Sequence, residues 1–332
     1  MLKALRWAGL VLAGVVVLAG LAVWQAVSMY RAPGPLAEAR AFVVPRGGME
    51  AIAQALTEAS IVADARRFAL AAWITRRDGV LRAAEFGFPA GASLEQVLET
   101  LRQARPVQRR FTIAEGLTAP QIAALLDRAE GLVGDMPAIA EGSLLPETYA
   151  YQWGESRAQL AARPQAAMTQ AVADLWAGRA ANLPFATPAE ALTLASIVER
   201  ETGLAEERPR VAAVFVNRLR RGMKLQSDPT VVFAASNGTS LDRPISRADL
   251  DRDHPYNTYR IAGLPPGPIA SPGREALRAV LHPPASDELF FVADGSGGHT
   301  FSRTLEEHNR HVAKWREVER ARSAAAPASR SR

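Results

Sequence analysis

The 332-residue sequence contains no cysteine, which excludes disulfides and thiol catalysis from any account of it. Only five histidines occur. His308 and His311 fall at i and i+3 of an expected helix, but without a third ligand they do not make a zinc site. No cofactor or metal is therefore expected. The sequence carries no nucleic-acid-binding fingerprint, zinc spacing or aromatic–basic platform, so nucleic acid is not an expected partner. The net charge of +5 comes mostly from scattered arginines and suits work beside an anionic wall or membrane surface.

One long apolar run is present. Trp7–Val27 is interrupted only by Gln25 and is long enough to cross the hydrocarbon layer. Lys3 and Arg6 precede it, which favours a cytoplasmic N-terminus and an exported remainder. The Trp24-Gln25-Ala26-Val27 stretch is a poor signal-peptide cleavage site, so an uncleaved single-pass anchor is expected. The resulting division is a tail over 1–6, an anchor over 7–27, a Pro/Gly-containing linker over 28–40, a small α+β domain over 41–135, a mixed helix/strand domain over 140–318 and a disordered tail over 319–332.

The small domain shows a weak repeat of strand, glycine turn and short amphipathic helix. Phe42–Gly47 leads into Ile52–Leu56, Phe86–Gly91 into Leu94–Leu101, and Phe111–Gly116 into Ile122–Leu126. Each places glycine where a turn demands positive φ. Ser93 with Gln96 reads as a capping box, and Thr118-Ala-Pro120 as a helix start. This grammar resembles LysM-type modules, which bind N-acetylglucosamine polymers. A structural or partner-docking α+β domain fits the pattern nearly as well.

Beyond Gly142, helices are expected over Arg157–Gly178, Thr187–Thr202, Glu206–Arg221 and Leu305–Arg316. Loops are expected from Gly222 onward, and Leu289–Ala293 and His299–Ser302 read as two strands joined by Asp294–Gly298. The segment Leu192–Gly203 places Glu199 and Glu201 at the end of an apolar helical run. Two positions apart on a helix, they point to nearly opposite sides. Leu194, Ile197, Val198 and Leu204 share a side with Glu201. Glu199 shares one with Ala195, Ser196 and Thr202, a face expected to be solvated. A carboxyl among apolar neighbours resists ionisation and can act as a general acid near neutral pH. The alternative, that Glu201 bonds local backbone or pairs with an arginine, stays open on this argument alone.

Seven pieces in order carry a family resemblance. They are Ala195-Ser-Ile-Val-Glu-Arg-Glu-Thr202, Val214-Phe-Val-Asn-Arg-Leu219, Leu225-Gln-Ser-Asp-Pro-Thr-Val231, Tyr256-Asn-Thr-Tyr259, Gly263-Leu-Pro-Pro-Gly267, Phe291-Val-Ala-Asp-Gly295 and Gly298-His-Thr-Phe301. In these the sequence resembles the endolytic murein transglycosylases of the MltG (YceG-like) family. The resemblance implies a lyase of the bacterial inner membrane with a periplasmic catalytic domain, acting on nascent peptidoglycan glycan strands. Such enzymes cut the β-1,4 bond from N-acetylmuramic acid to N-acetylglucosamine and leave 1,6-anhydromuramoyl ends. The family's acid falls on Glu201. One carboxyl suffices because the muramoyl 6-hydroxyl is the internal nucleophile. Peptidoglycan synthases are the protein partners that the family and the anchor suggest.

The remaining site residues have two readings each. Gln226, Ser227, Asp228 and Thr230 either line a sugar cleft or, for Asp228, cap a helix or turn before Pro229. Tyr256, Asn257 and Tyr259 either stack on and bond sugars or pack their loop. Asn217 either reaches the cleft or is a buried structural amide. Glu147 is the candidate second acid. Thr202 either orients the carboxyl of Glu201 or is a plain helix-surface residue, and His299 either bonds substrate or is satisfied within its strand. Two rival functions follow: a hydrolytic muramidase in which Asp228 or Glu147 activates water, and a non-catalytic peptidoglycan-binding scaffold for wall-synthesis enzymes.

Overall fold

The computed structural model describes residues 2–325, a mixed α+β chain in two compact units. The first comprises residues 1–109 with 130–132 and 150–155, and the second 110–129, 133–149 and 156–332.

In the first unit, helix α1 (Leu2–Arg31) carries an apolar stretch, Gly9–Arg31, exposed except at Tyr30 and with mean hydropathy 2.4. It is long and apolar enough to span a membrane. Strand β1 (Arg40–Val43), helices α2 (Met49–Glu58) and α3 (Ala65–Ile74), strand β2 (Glu85–Phe88) and helix α4 (Leu94–Gln103) follow. β1 and β2 pair antiparallel with Phe42 opposite Phe86. The core gathers Leu56, Ile61, Phe68, Phe86, Phe88, Leu98 and Leu101, all essentially inaccessible. Each such side chain contributes about 2 kcal/mol by leaving water. Ser93 and Gln96 form the expected capping box at the start of α4. Helix α3 is an addition to the expected pattern. It begins where the Asp64 side chain accepts the Arg67 backbone N–H.

Two expectations change here. The stretch expected as a linker is tied to the unit: Leu36 is buried in the core, Gly34 N–H bonds Gly91 O, and Gly91 N–H bonds Leu36 O. The third strand–turn–helix does not join the first two. Its residues 110–129, including most of β3 (Arg109–Thr112) and helix α5 (Ala119–Arg128), belong to the second unit. Strand β3 pairs with β4 (Thr148–Tyr151) rather than with β1 or β2.

The second unit is organised around helix α7 (Pro188–Glu201). It packs against α6 (Arg157–Ala177), α8 (Arg208–Arg220), α9 (Asp228–Ser236) and α11 (Arg274–Leu281). Thr187 and Glu190 form a capping box at its start, with Pro188 in the first turn. Ala191 and 193–198 are all buried, so the helix lies inside the unit and not on its surface. The stretch expected to be loops after Gly222 contains α9, the short α10 (Arg247–Asp251) and α11. Strands β5 (Phe290–Ala293) and β6 (His299–Ser302) form the expected hairpin, with Phe291 opposite Phe301. Helix α12 (Leu305–Ala325) continues well past Arg316, so 319–325 is helical; the rest of the tail expected to be disordered, 326–332, lies outside the described residues.

Candidate functional site

Glu201 is the last residue of α7, and the chain turns into extended conformation at Thr202. The turn is fixed by the buried Thr202 hydroxyl, which accepts the Leu204 N–H at 3.0 Å. The Glu201 carboxyl opens into a cleft of about 420 Å³ within the second unit. Leu225, Gln226, Asp228 and Tyr259 form one side, and Phe291, Val292, His308 and Val312 form another, with Arg218 also contributing.

Burial pushes the Glu201 carboxyl up to about 7. The negative charge of Asp228 acts in the same direction, while the Ser227 hydroxyl and the Arg218 guanidinium pull it back. A carboxylate at a helix C-terminus also faces the unfavourable end of the helix dipole. The Ser227 hydroxyl is buried and meets no partner at full hydrogen-bond geometry.

Its neighbour Glu199 differs from the expectation of a solvated face. Ala195, Ser196 and Thr202 on that side are buried, because α8 and α11 both pack on α7. The Glu199 carboxylate accepts the Gly273 N–H at 2.8 Å and lies 3.2 Å from Arg208. Burial raises its pKa, against the Gly273 bond and Arg208. Glu199 is thus committed to holding α7, α8 and the start of α11 together, whereas no hydrogen bond at full geometry engages the carboxyl of Glu201 among the described residues.

The 226–230 segment is shaped by the 256–259 loop. Gln226 N–H bonds Thr258 O, and Ser227 N–H bonds the Thr258 hydroxyl at 2.9 Å. Gln226 adopts the left-handed conformation, φ 51°, uncommon for a residue with a side chain. This carries the chain from the cleft wall into α9. Asp228 occupies the first turn of α9 and accepts the Tyr259 hydroxyl at 2.6 Å. Burial, and then the bond to Asp228, push the Tyr259 phenol well up, so it remains a donor throughout the physiological range.

Several sequence candidates build the site without lining it. Thr230 is fully buried and bonds Ser227 O and the Thr258 hydroxyl. The Asn257 amide nitrogen lies within 3.2 Å of the carbonyls of Asp249, Leu250 and Arg252. Asn217 donates to Ser286 O and Glu288 O. Tyr256 packs on Phe233, with ring centroids 4.8 Å apart. Glu147 is exposed and paired with Arg274 at 3.0 Å, away from the residues that line the cleft. It therefore does not serve as the second acid there. His299 is held by Glu207 at 2.8 Å, and His311 by the Ser302 hydroxyl at 2.9 Å. No three-residue metal-binding group occurs among the described residues.

Six cleft residues lay outside the expected site, and two of them, Arg218 and His308, are titratable. Arg218 is buried and donates from Nε to Leu289 O at 2.6 Å and from Nη1 to Leu225 O at 2.8 Å. It thereby joins α8 to both sides of the cleft. His308 stacks on Phe290, and burial, with Arg218 and His311 nearby, pulls its pKa below the usual histidine value, so the imidazole is neutral at pH 7. The sequence signal for Arg218 was its place beside Asn217 in a family motif. That for His308 was its helical position, which had been considered only for metal.

The YceG-like family model matches residues 42–314. A protein of Bacillus subtilis strain 168 named endolytic murein transglycosylase is 46% identical over 124 residues, covering 37% of this chain and 34% of that protein. One of the same name from Streptococcus pneumoniae serotype 2 is 32% identical over 245 residues, covering 68% of this chain and 43% of the relative. The match thus spans less than half the length of either relative. A crystal structure of a yceG-like protein from Listeria monocytogenes aligns with TM-score 0.53 and 27% identity, over 82% of this chain and 98% of that one. The matched region contains strands β2 to β6, the buried α7 and every residue of the cleft, and the chain belongs to the YceG-like family.

Proposed function

We propose that this chain is a membrane-anchored endolytic lytic transglycosylase of peptidoglycan, with Glu201 as its single general acid and base. The observation that carries the reading is the Glu201 carboxyl, held protonated up to about pH 7 at the wall of a polar cleft, with no partner at full hydrogen-bond geometry among the described residues. The names of the relatives supply the substrate class.

Glu201 protonates the glycosidic oxygen between N-acetylmuramic acid and N-acetylglucosamine as that bond breaks. The resulting carboxylate then takes the proton of the muramoyl 6-hydroxyl, whose oxygen closes on the anomeric carbon. No water is consumed, and the product ends in 1,6-anhydromuramic acid. Arg218 and Ser227 favour the ionised carboxylate that exists between the two steps. The Tyr259 hydroxyl, by donating to Asp228, keeps the second carboxylate of the cleft occupied. Phe291 and Val292 offer an apolar surface to a sugar face.

Helix α1 serves as the anchor, with the N-terminus cytoplasmic and the remainder periplasmic. The charge of Lys3 and Arg6 supports that orientation. The strand–helix modules of the first unit are read as LysM-like and as a second contact with the glycan, which leaves synthases free to share the strand.

Mass spectrometry of uncrosslinked glycan strands treated with the full chain and with Glu201→Gln tests this. Internal fragments with anhydromuramoyl ends, absent from the variant, are expected. Reducing ends would mean hydrolysis, with Asp228 as the carboxylate to examine. Intact strands after treatment with folded, glycan-binding protein would favour the scaffold.

A further inference from the structure

Helix α3 buries one side in the first unit through Phe68 and Ala72 and leaves the other bare. Leu70, Trp73 and Ile74 are 58%, 60% and 61% exposed, and Val80 just beyond them is 80% exposed. On α3, positions 66, 67, 70, 73 and 74 form one continuous stripe, and a single 3-10 turn, Arg76–Asp78, follows it. Its apolar centre is bracketed by Arg66 and Arg67 at one end and Arg76 and Arg77 at the other. The two nearby acids are engaged, Asp64 in capping α3 and Asp78 beside Arg102 at 3.7 Å. The Arg76 guanidinium lies over the Trp73 ring at 4.6 Å.

This face is continuous with α1. Val27 and Tyr30 of α1, Leu70 and Ile74 of α3, and Leu94 of α4 line an apolar cleft of about 340 Å³. Tyr30 packs on the core of the unit, and Arg31 pairs with Glu95 at 3.3 Å, so the end of α1 is docked within this unit. Counted from Gly9 at 1.5 Å per residue, a hydrocarbon layer of about 30 Å ends near Met29. The α3 residues beside Val27 and Tyr30 therefore lie at the level of the lipid headgroups. A tryptophan flanked by apolar residues and arginines suits that layer, where the ring takes the interface and the guanidiniums meet lipid phosphates.

We propose that the exposed face of α3 is a second membrane contact that lies in the outer interface of an anionic bilayer, with Trp73, Ile74 and Leu70 inserted and the four arginines on phosphate. The proposal rests on the reading of α1 as a membrane span and adds to it. A span alone leaves the first unit free to swing about its exit point. Two contacts fix one side of the unit against the bilayer.

The cysteine-free sequence allows the test to be made on the full chain. Single variants Trp73→Cys, Ile74→Cys and Val16→Cys, all at exposed positions, are spin-labelled and reconstituted in vesicles of phosphatidylcholine with phosphatidylglycerol. Collision rates with oxygen, which prefers lipid, are compared with those of a water-soluble nickel chelate. The expected result is a ratio above one at all three positions. In vesicles lacking phosphatidylglycerol, or when Arg66→Glu and Arg77→Glu are added, the ratio should fall at 73 and 74 and stay unchanged at 16. A lipid-exposed label at 16 with water-exposed labels at 73 and 74 would overturn the α3 contact and leave the anchor standing. Water exposure at all three would overturn the anchor reading and this proposal with it.

Discussion

Replacing Glu201 by glutamine should make the protein more stable, by an amount that grows from pH 4.5 to about 7 and is complete above it. The folded carboxyl keeps its proton up to about pH 7, whereas in the unfolded chain it loses it near its ordinary value of 4.5. Between those values the folded state binds more protons, so stability falls as pH rises and the whole cost is present above about 7. At about 1.4 kcal/mol for each tenfold change in proton affinity, ionised Glu201 costs the fold about 3 kcal/mol at pH 8. Glutamine has nearly the same shape and never ionises, so Glu201→Gln removes the cost. At about 2–4 °C per kcal/mol for a unit of this size, the melting temperature should rise by about 6–12 °C at pH 8. The difference should shrink toward zero by pH 4.5. Calorimetry of the full chain in detergent micelles, from pH 4.5 to 8, reads this directly. A stabilisation of equal size at every pH, or a variant that melts below the parent at pH 8, would refute the argument that burial holds this proton.

Glu199→Ala should do the opposite and destabilise by about 1–3 kcal/mol, because it leaves the Gly273 N–H without its 2.8 Å acceptor and the buried Arg208 without its 3.2 Å partner; the same melts check it. Asn257→Ala strips the donor from three backbone carbonyls and should cost about 3 kcal/mol, read as a lower urea midpoint. Glycan cleavage should lose rate as pH rises through about 7, since the first step needs the protonated acid. Asp228→Asn removes a neighbouring negative charge and should move that loss to lower pH in a kcat/KM profile.

Two helices were legible because their caps and apolar periods are strong: Ser93 with Gln96 starts α4 in the first unit, and Thr187 with Glu190 starts α7 in the second. Helices α9, α10 and α11 were not. They are short and set among Pro and Gly, and α9 is apolar without favouring a side, which leaves no period to read. The face argument selected Glu201, but for a reason that holds only in part. It assumed that α7 lies at the surface, with one buried stripe. The helix is buried almost all round, so Glu199 is enclosed as well, and the two carboxyls are distinguished by Arg208 and Gly273 rather than by solvent. Within the site, the chemistry of the 226–230 and 256–259 loops was visible in their residue types. Which members face the cleft and which hold the loops was not, because both uses call for the same hydroxyls and amides. Thr230 and Asn257 went to backbone, and Asp228 and Tyr259 to the cleft.

The walls of the cleft come from distant parts of the chain, and this sets an order in time. Glu201 is synthesised well before Phe291, Val292, His308 and Val312, which form the far side. A chain that has reached only α11 carries this carboxyl without the surface that faces it. Its Arg218 also lacks the Leu289 carbonyl. The carboxyl is then open to water, ionises near its ordinary value, and has no proton to give at neutral pH. On the proposed function, the acid therefore becomes competent only when the hairpin and α12 close over the site.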